Sequence, residues 1–233
     1  MGGEEGIPGT LYIVATPIGN LEDMTYRAVR ILSAVDLIAA EDTRTTKILL
    51  DHYGIRKPMV SYFSYNERQR IPRLLEALTN GQSVAVVSDA GTPGVSDPAE
   101  KIVRAAIERN IPVVPVPGPT AFVSALVVSG LNTARFVFEG FLPQKKGRKT
   151  KLEQLRSETR TIILYESPHR IVRTLKEILA AWGDRNVVVA REITKKFEEI
   201  VRGPASSILS EISSKPARGE YVLILEGNTG TDD

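Results

Sequence analysis

The chain contains no cysteine. That excludes disulfides, a thiolate nucleophile and any cysteine-based zinc site. Histidine is nearly as scarce: His52 and His169 are the only two. They are too few for a cage of imidazoles, so no catalytic metal is expected. No stretch of about 18 apolar residues occurs, and nothing reads as a membrane span. The start, Met1 to Gly6, is acidic and glycine-rich and lacks both the basic start and the apolar segment of a signal peptide. Residues 1–8 are therefore expected to form a flexible tail, and the protein to be cytoplasmic. Neither sign of charge dominates. Lys plus Arg number 30 and Asp plus Glu 28, a formal net charge of +2, so any surface for a polyanion must be local. No G-x-G-x-x-G follows the first strand-like run and no Walker A loop is present, which removes the usual Rossmann and P-loop fingerprints.

What is present is the composition of a globular protein with a real core: 233 residues, 42% hydrophobic and 25% charged, ordinary values for a soluble domain. Short runs rich in Val, Ile and Leu predict strands at Thr10–Ala15, Leu37–Ala40, Met59–Phe63, Ser83–Ser88, Ile111–Val114, Phe136–Gly140, Thr161–Tyr165, Asn186–Arg191 and Glu220–Leu225. They read as strands buried on both faces. Helix-length amphipathic segments lie between them. Asp97-Pro98-Ala99-Glu100 places an acceptor at N-cap, Pro at N1 and Glu at N3. Ser167-Pro168 repeats the cap-plus-proline signal before Ile171, Leu175, Ile178, Leu179 and Trp182, and Gly203-Pro204 opens another helix. Alternation of strands and helices predicts an α/β fold. A helix from about Thr120 to Ser129 closes the first series, so the expected domains are 9–129 and 130–228, both α/β, with 229–233 as a second tail.

Six segments carry polar chemistry at strand ends. Ala15-Thr16-Pro17-Ile18-Gly19-Asn20-Leu21 is a small turn that lets a ligand approach the backbone, or an ordinary connector. Ser88 to Pro98 holds two glycines, two prolines and two aspartates. Glycine leaves room for a ligand and proline fixes the loop before binding. Asp89 to Thr92 are read as ligand-binding, and Asp97 as a helix cap. Pro115 to Ala121 would offer free backbone N–H groups at a helix start, or act as a stiff linker. Ala40-Glu41-Asp42-Thr43-Arg44 is equally a polar site or an N-cap with a solvated ion pair. In Tyr165-Glu166-Ser167-Pro168-His169-Arg170, Tyr165 could stack on a flat ring, Arg170 could grip a phosphate, and Glu166 or His169 could move a proton, although a lone histidine is more often structural. Ala190 to Glu199, continuing to Arg202-Gly203-Pro204, reads as a solvated face or as a ligand-facing loop. Beside these, Lys145 to Lys151 is the one basic cluster, with the composition of a phosphate-contacting loop.

In their order and spacing these segments resemble the ribosomal RNA small subunit methyltransferase I family, of the tetrapyrrole (corrin/porphyrin) methylase superfamily. The likeness runs from about Gly9 to Gly227. It implies two α/β domains with a cofactor cleft between them, not the classical Rossmann methyltransferase, and S-adenosylmethionine held mostly by backbone groups. By the resemblance, Asp89, Ala90, Gly91, Thr92 and Pro93 correspond to the superfamily's central Gly-Asp-Pro-type loop, with Ser88 in place of its glycine and Ala90 of its proline. Pro17 and Gly19 in the first loop, Thr120 and Ala121 in the next, and Tyr165, Ala190 and Arg191 in the second domain would complete the cofactor site. The reaction implied is 2′-O-methylation of a cytidine in small-subunit (16S) ribosomal RNA by a homodimer, with free RNA or the assembled small subunit as partner.

Some members of that family carry a small helical module beyond the last strand, whereas here only Asn228–Asp233 follow it. RNA grip is then expected to come from elsewhere, or the substrate to be an assembled subunit. A ribose hydroxyl needs a base. The candidates are Asp42, Glu166 and His169, with Arg44 and Arg170 orienting the acid or a phosphate. Lys145, Lys146, Arg148, Lys149 and Arg170 are the candidate RNA contacts. Charge reversal at Lys146, Arg148 and Lys149 is expected to weaken RNA binding and spare the cofactor. Two alternatives stay open: a methylase of a tetrapyrrole or a protein in the same superfamily, and a cofactor- or RNA-binding module without turnover.

Overall fold

A computed structural model describes residues 7–216 and 218–230. Residues 1–6 and 231–233 of the expected tails lie outside the described residues. The chain divides into two compact units at Thr120/Ala121.

The first unit holds a five-stranded parallel sheet of β1 (Leu11–Val14), β2 (Leu37–Ala40), β3 (Met59–Ser61), β4 (Val84–Val87) and β5 (Val113–Val116), in the order β3-β2-β4-β1-β5. Parallel strands need crossover helices, and helices on both faces make the strands apolar throughout. The alternation of side chains sorts them. Tyr12, Val14, Ile38, Ala40, Ala85 and Val87 face one way, onto α1 (Tyr26–Ala34) and α2 (Thr43–His52). Leu11, Ala39, Val84 and Val86 face the other, onto α3 (Glu67–Thr79) and α4 (Glu100–Ile107). β5 carries Pro115, which an edge strand tolerates because it has no ladder partner on one side.

The second unit holds a mixed sheet of β6 (Phe136–Phe141), β7 (Thr161–Glu166), β8 (Asn186–Arg191), β9 (Glu199–Pro204) and β10 (Tyr221–Leu225), in the order β6-β7-β10-β8-β9. Only β6 and β7 run parallel. Ile162, Leu164, Val187, Val189, Leu223 and Leu225 pack one face against α6 (Arg148–Arg156), α7 (Ile171–Trp182) and α8 (Ala205–Ser213). The short α5 (Ala121–Val127) lies against β7 and β10, so the division comes earlier than the one expected near 130.

Three expectations are corrected. Asp97 does not cap α4: the helix starts at Glu100 after a turn, with Ala99 in the cap position and no side-chain cap. Ser167-Pro168 likewise begins a turn; Arg170 and Ile171 donate to the Ser167 carbonyl, and α7 starts at Ile171. In both places proline fixes a turn just ahead of the helix. Of the polar run from Ala190, residues 192–198 do form a loop, but Glu199–Pro204 is β9, antiparallel to β8. As an edge strand it needs no apolar face, and its charges guard against edge-to-edge pairing.

Candidate functional site

The route of the first sheet creates a crevice. β1 leads to α1 on one face, whereas its neighbour β4 leads to α4 on the other. Ligands of open α/β sheets bind where such adjacent loops part, beyond the carboxyl ends of the strands. Here the two loops are clasped. Thr16 and Gly91 exchange backbone hydrogen bonds of 2.9 and 3.0 Å, and the Thr16 hydroxyl donates to the Ser88 carbonyl at 3.2 Å. Gly91 sits at φ +81, a backbone region that L side chains avoid, with the Ile18 methyl 3.4 Å from where a Cβ would be.

The loop after β5 joins them. Thr92 Oγ1 lies 2.7 Å from Thr120 Oγ1 and 3.2 Å from the Pro119 carbonyl. At Gly118 a Cβ would meet the Ala15 Cβ at 2.9 Å. Gly118→Ala must therefore push the loops after β1 and β5 apart. An overpacking cost of about 1–3 kcal/mol is expected, read as a lower midpoint in urea denaturation.

Four carboxyls gather at the ends of β2 and β4. Glu41 accepts from the Asp89 N–H at 3.2 Å, and Asp89 accepts from the Asp42 N–H at 3.0 Å, which ties the two loops reciprocally. Asp97 joins them through Ser88. Their proton affinities separate. Asp42 accepts from the Arg44 guanidinium and from its backbone N–H, which hold it down to about 2. It is the N-cap of α2. Burial, then repulsion from Asp89, pushes Glu41 up, and burial also pushes Asp89 up. Asp97 rises furthest, to about 6, through burial first and then the negative charges of Glu41 and Asp89. Glu41 was read only as part of the polar segment before Arg44, and Asp97 only as a helix cap. Asp97 shares its loop with Asp89, but the proline after it imitated a helix cap.

The other sequence candidates are placed differently. In the first unit Pro17, Gly91 and Pro93 are buried, while Gly19 and Ala90 are exposed. Pro93 turns toward an open groove of about 480 Å³ along α4, lined also by Val95, Ala99, Val103 and Ile107. In the second unit, Glu166 is fully buried and saturated. Its Oε1 accepts from the Ser167 N–H at 2.8 Å and from Arg170 Nη2 at 2.7 Å; its Oε2 accepts from the Thr174 hydroxyl at 2.6 Å. The candidate base Glu166 is thus a buried carboxylate committed to Ser167, Arg170 and Thr174. Asp42 is corrected on different grounds: its bidentate pair with Arg44 makes it a weak proton acceptor.

Arg148 is corrected too. Its side chain is 3% exposed, with Nε on Glu177 at 2.7 Å, Nη2 on Thr174 at 2.6 Å and Nη1 on the Pro143 carbonyl at 3.2 Å. It cannot touch RNA without unfolding α6. Lys145, Lys146 and Lys149 are exposed, as is His169. Ala190 is buried, and Arg191 is bound to the Arg218 carbonyl at 2.9 Å. The Tyr165 hydroxyl accepts from the Phe122 N–H at the start of α5, at 3.3 Å. Among the described residues no group of three or more acidic or histidine side chains is arranged to hold a metal ion, and no helix is long and apolar enough to cross a membrane.

Two α/β units, a parallel sheet of order β3-β2-β4-β1-β5 clasped at its switch point, and a mixed second sheet are the features of a tetrapyrrole methylase. The sequence profile of the Tetrapyrrole (Corrin/Porphyrin) Methylases matches residues 10–209. The fold matches that of a cobalt precorrin-4 methyltransferase of cobalamin biosynthesis, with a TM-score of 0.70 at 18% identity over 97% of both chains. It also matches a uroporphyrin-III C-methyltransferase from Thermus thermophilus in complex with S-adenosylhomocysteine, with a TM-score of 0.67 at 20% identity over 93% of this chain and 97% of that one. Within this class the chain belongs to the ribosomal RNA small subunit methyltransferase I family. The relative of that name from Synechocystis is 50% identical over 96% of this chain and 81% of its own length. The one from Thermotoga maritima is 48% identical over 94% and 99%.

Proposed function

We propose that the protein transfers a methyl group from S-adenosylmethionine to small-subunit ribosomal RNA, at the ribose 2′-hydroxyl of a cytidine. The observation that carries this reading is the gathering of Glu41, Asp89 and Asp97 at the switch point of the first sheet, where Glu41 and Asp89 tie the loops after β2 and β4 together and all three carboxyls are raised. Burial and mutual repulsion disfavour their charged forms, and a cationic ligand would relieve both. S-adenosylmethionine bears a sulfonium and an ammonium, and it supplies a methyl group already activated for transfer. The residues fit it: Gly91 and Gly118 let the loops after β1, β4 and β5 pack closely on Ile18 and Ala15, which sets their backbone beside the carboxyls. Tyr165, Ala190 and Arg191 are assigned to the same cofactor on the family pattern.

Asp97 is assigned as the group that takes the ribose hydroxyl proton. A carboxyl raised to about 6 is ionised at neutral pH and still basic enough to accept, the best compromise for a general base. Asp42 and Arg44 position the loop beside it. Holding the hydroxyl in line with the methyl carbon supplies a further large part of the rate.

The test is methyl transfer from labelled S-adenosylmethionine to small ribosomal subunits lacking modifications, followed by nucleoside mass analysis. Labelled 2′-O-methylcytidine is the expected product. Label in a base, in ribosomal protein or in an added tetrapyrrole would refute the acceptor assigned here.

A further inference from the structure

The second sheet has one face without an account. Ile162, Leu164 and Glu166 of β7 point to the helix-covered core, whereas Thr161, Ile163 and Tyr165 point the other way. Phe136, Phe138 and Phe141 of β6 pair with those three residues in register. In a regular strand Phe141 would alternate to the opposite face. A bulge between Phe138 and Gly140 returns it to the same side, which is what bulges do when they re-aim a side chain. The result is a row of three phenylalanines on an edge strand.

The row is unevenly covered. Phe138 is stacked on Phe122 of α5, with centroids 4.4 Å apart and planes 21° apart. Phe141 is 54% exposed and Phe136 39%. Phe141 is nonetheless held in place. Tyr165 lies 5.6 Å away, ring to ring, and the Arg170 guanidinium sits 5.9 Å from the Phe141 centroid. Arg170 is itself fixed by Glu166 at 2.7 Å and the Leu142 carbonyl at 3.3 Å. Isolated exposed hydrophobics need no explanation. A ring turned out by a bulge and propped by a second ring and an anchored cation does.

Directly beyond Phe141 the chain carries Lys145, Lys146 and Lys149, all exposed and in no ion pair among the described residues. The negative charge on the bulge itself, Glu139, is neutralised by Lys151 at 2.5 Å. A flat apolar ring followed within eight residues of chain by unpaired cations is the composition of a single-stranded nucleic-acid platform: bases stack on the ring while phosphates meet the lysines.

We infer that Phe141, propped by Tyr165 and Arg170, is a stacking platform for an unpaired RNA base, and that Lys145, Lys146 and Lys149 hold the phosphates beside it. This rests on the proposed RNA substrate. It adds a recognition site built from residues other than the proposed proton-accepting carboxyl.

The test uses the full chain with an unmethylated single-stranded oligoribonucleotide carrying 2-aminopurine, whose fluorescence falls when it stacks, and with small ribosomal subunits. The wild-type protein is expected to quench the probe. Phe141→Leu, which keeps an apolar side chain, should bind RNA about 10-fold more weakly and lose the quenching, and Phe141→Tyr should retain both. Lys146→Glu should weaken binding yet leave the quenching intact at saturation. Unchanged affinity and quenching in Phe141→Leu would overturn the platform and leave the RNA reading standing. A wild-type protein that binds neither the probe nor the subunits would overturn the RNA reading, and the platform with it. If Phe141→Leu instead turns a dimer into a monomer with RNA affinity unchanged, the face joins two copies of the chain and the platform is refuted.

Discussion

Replacing Asp97 by Asn is expected to lower methyl transfer at least about 100-fold, the scale of a lost general base, and at the same time to stabilise the fold above pH 6. The sign follows from linkage. The Asp97 carboxyl ionises near 3.8 when exposed and at about 6 in the folded protein. Between those values the folded state binds the proton that the unfolded state has released, so stability falls as pH rises through the window. Above pH 6 the buried charge is fully unfavourable. Asn removes it, for a gain of about 1 kcal/mol once the water that reaches the carboxyl is allowed for. In the wild-type protein kcat/KM should fall about tenfold per pH unit below 6, and that limb should be absent in the residual activity of Asp97→Asn. Glu41→Gln keeps an acceptor for the Asp89 N–H but removes a neighbouring charge, so it should move the limb to lower pH. A variant lacking the Asp97 carboxyl that is as active as wild type, or a limb that ignores Glu41, would exclude the assignment.

Arg148→Ala is expected to cost about 3 kcal/mol in urea denaturation, the largest stability effect among the basic residues of α6 and its approach. Removing the guanidinium strips Glu177, the Pro143 carbonyl and Thr174 Oγ1 each of a donor. Thr174 in turn donates to Glu166, so the loss reaches the carboxylate that anchors Arg170. Lys146→Glu and Lys149→Glu lie on the surface and should change stability by less than about 0.5 kcal/mol, while weakening RNA binding more at low salt than at high. Reversing all three charges together would therefore mix unfolding with lost RNA contact. If Arg148→Ala is as stable as Lys149→Glu, the buried network contributes nothing to the fold.

These contrasts mark how far the residues could be read in one dimension. Apolar runs such as Val84–Val87 and Ile162–Leu164 announce buried strands, because the hydrophobic period is local. The glycine- and proline-rich loops after β1, β4 and β5 were legible as tight turns at strand ends for the same reason: permissive and rigid residues act on their own backbone. β9 was not legible, since its only demand is to complete an edge, and Glu199, Arg202 and Pro204 satisfy that as well as apolar residues would. The turns at Asp97-Pro98 and Ser167-Pro168 were misread as caps because proline after an acceptor serves a turn and a helix start equally well.

The amino-acid sequence by itself determined the alternation of strands and helices, and membership of the ribosomal RNA small subunit methyltransferase I family. Tertiary structure alone decided how far each carboxyl and each cation is buried and which partners hold it. Glu166 is quenched by Thr174 and Arg170, Arg148 is sealed by Glu177 and Thr174, and Asp97 is raised by burial beside Glu41 and Asp89. Burial and charge neighbours come largely from other elements of the fold, so a residue's ionisation and its reach are properties of the folded surroundings that no local motif encodes.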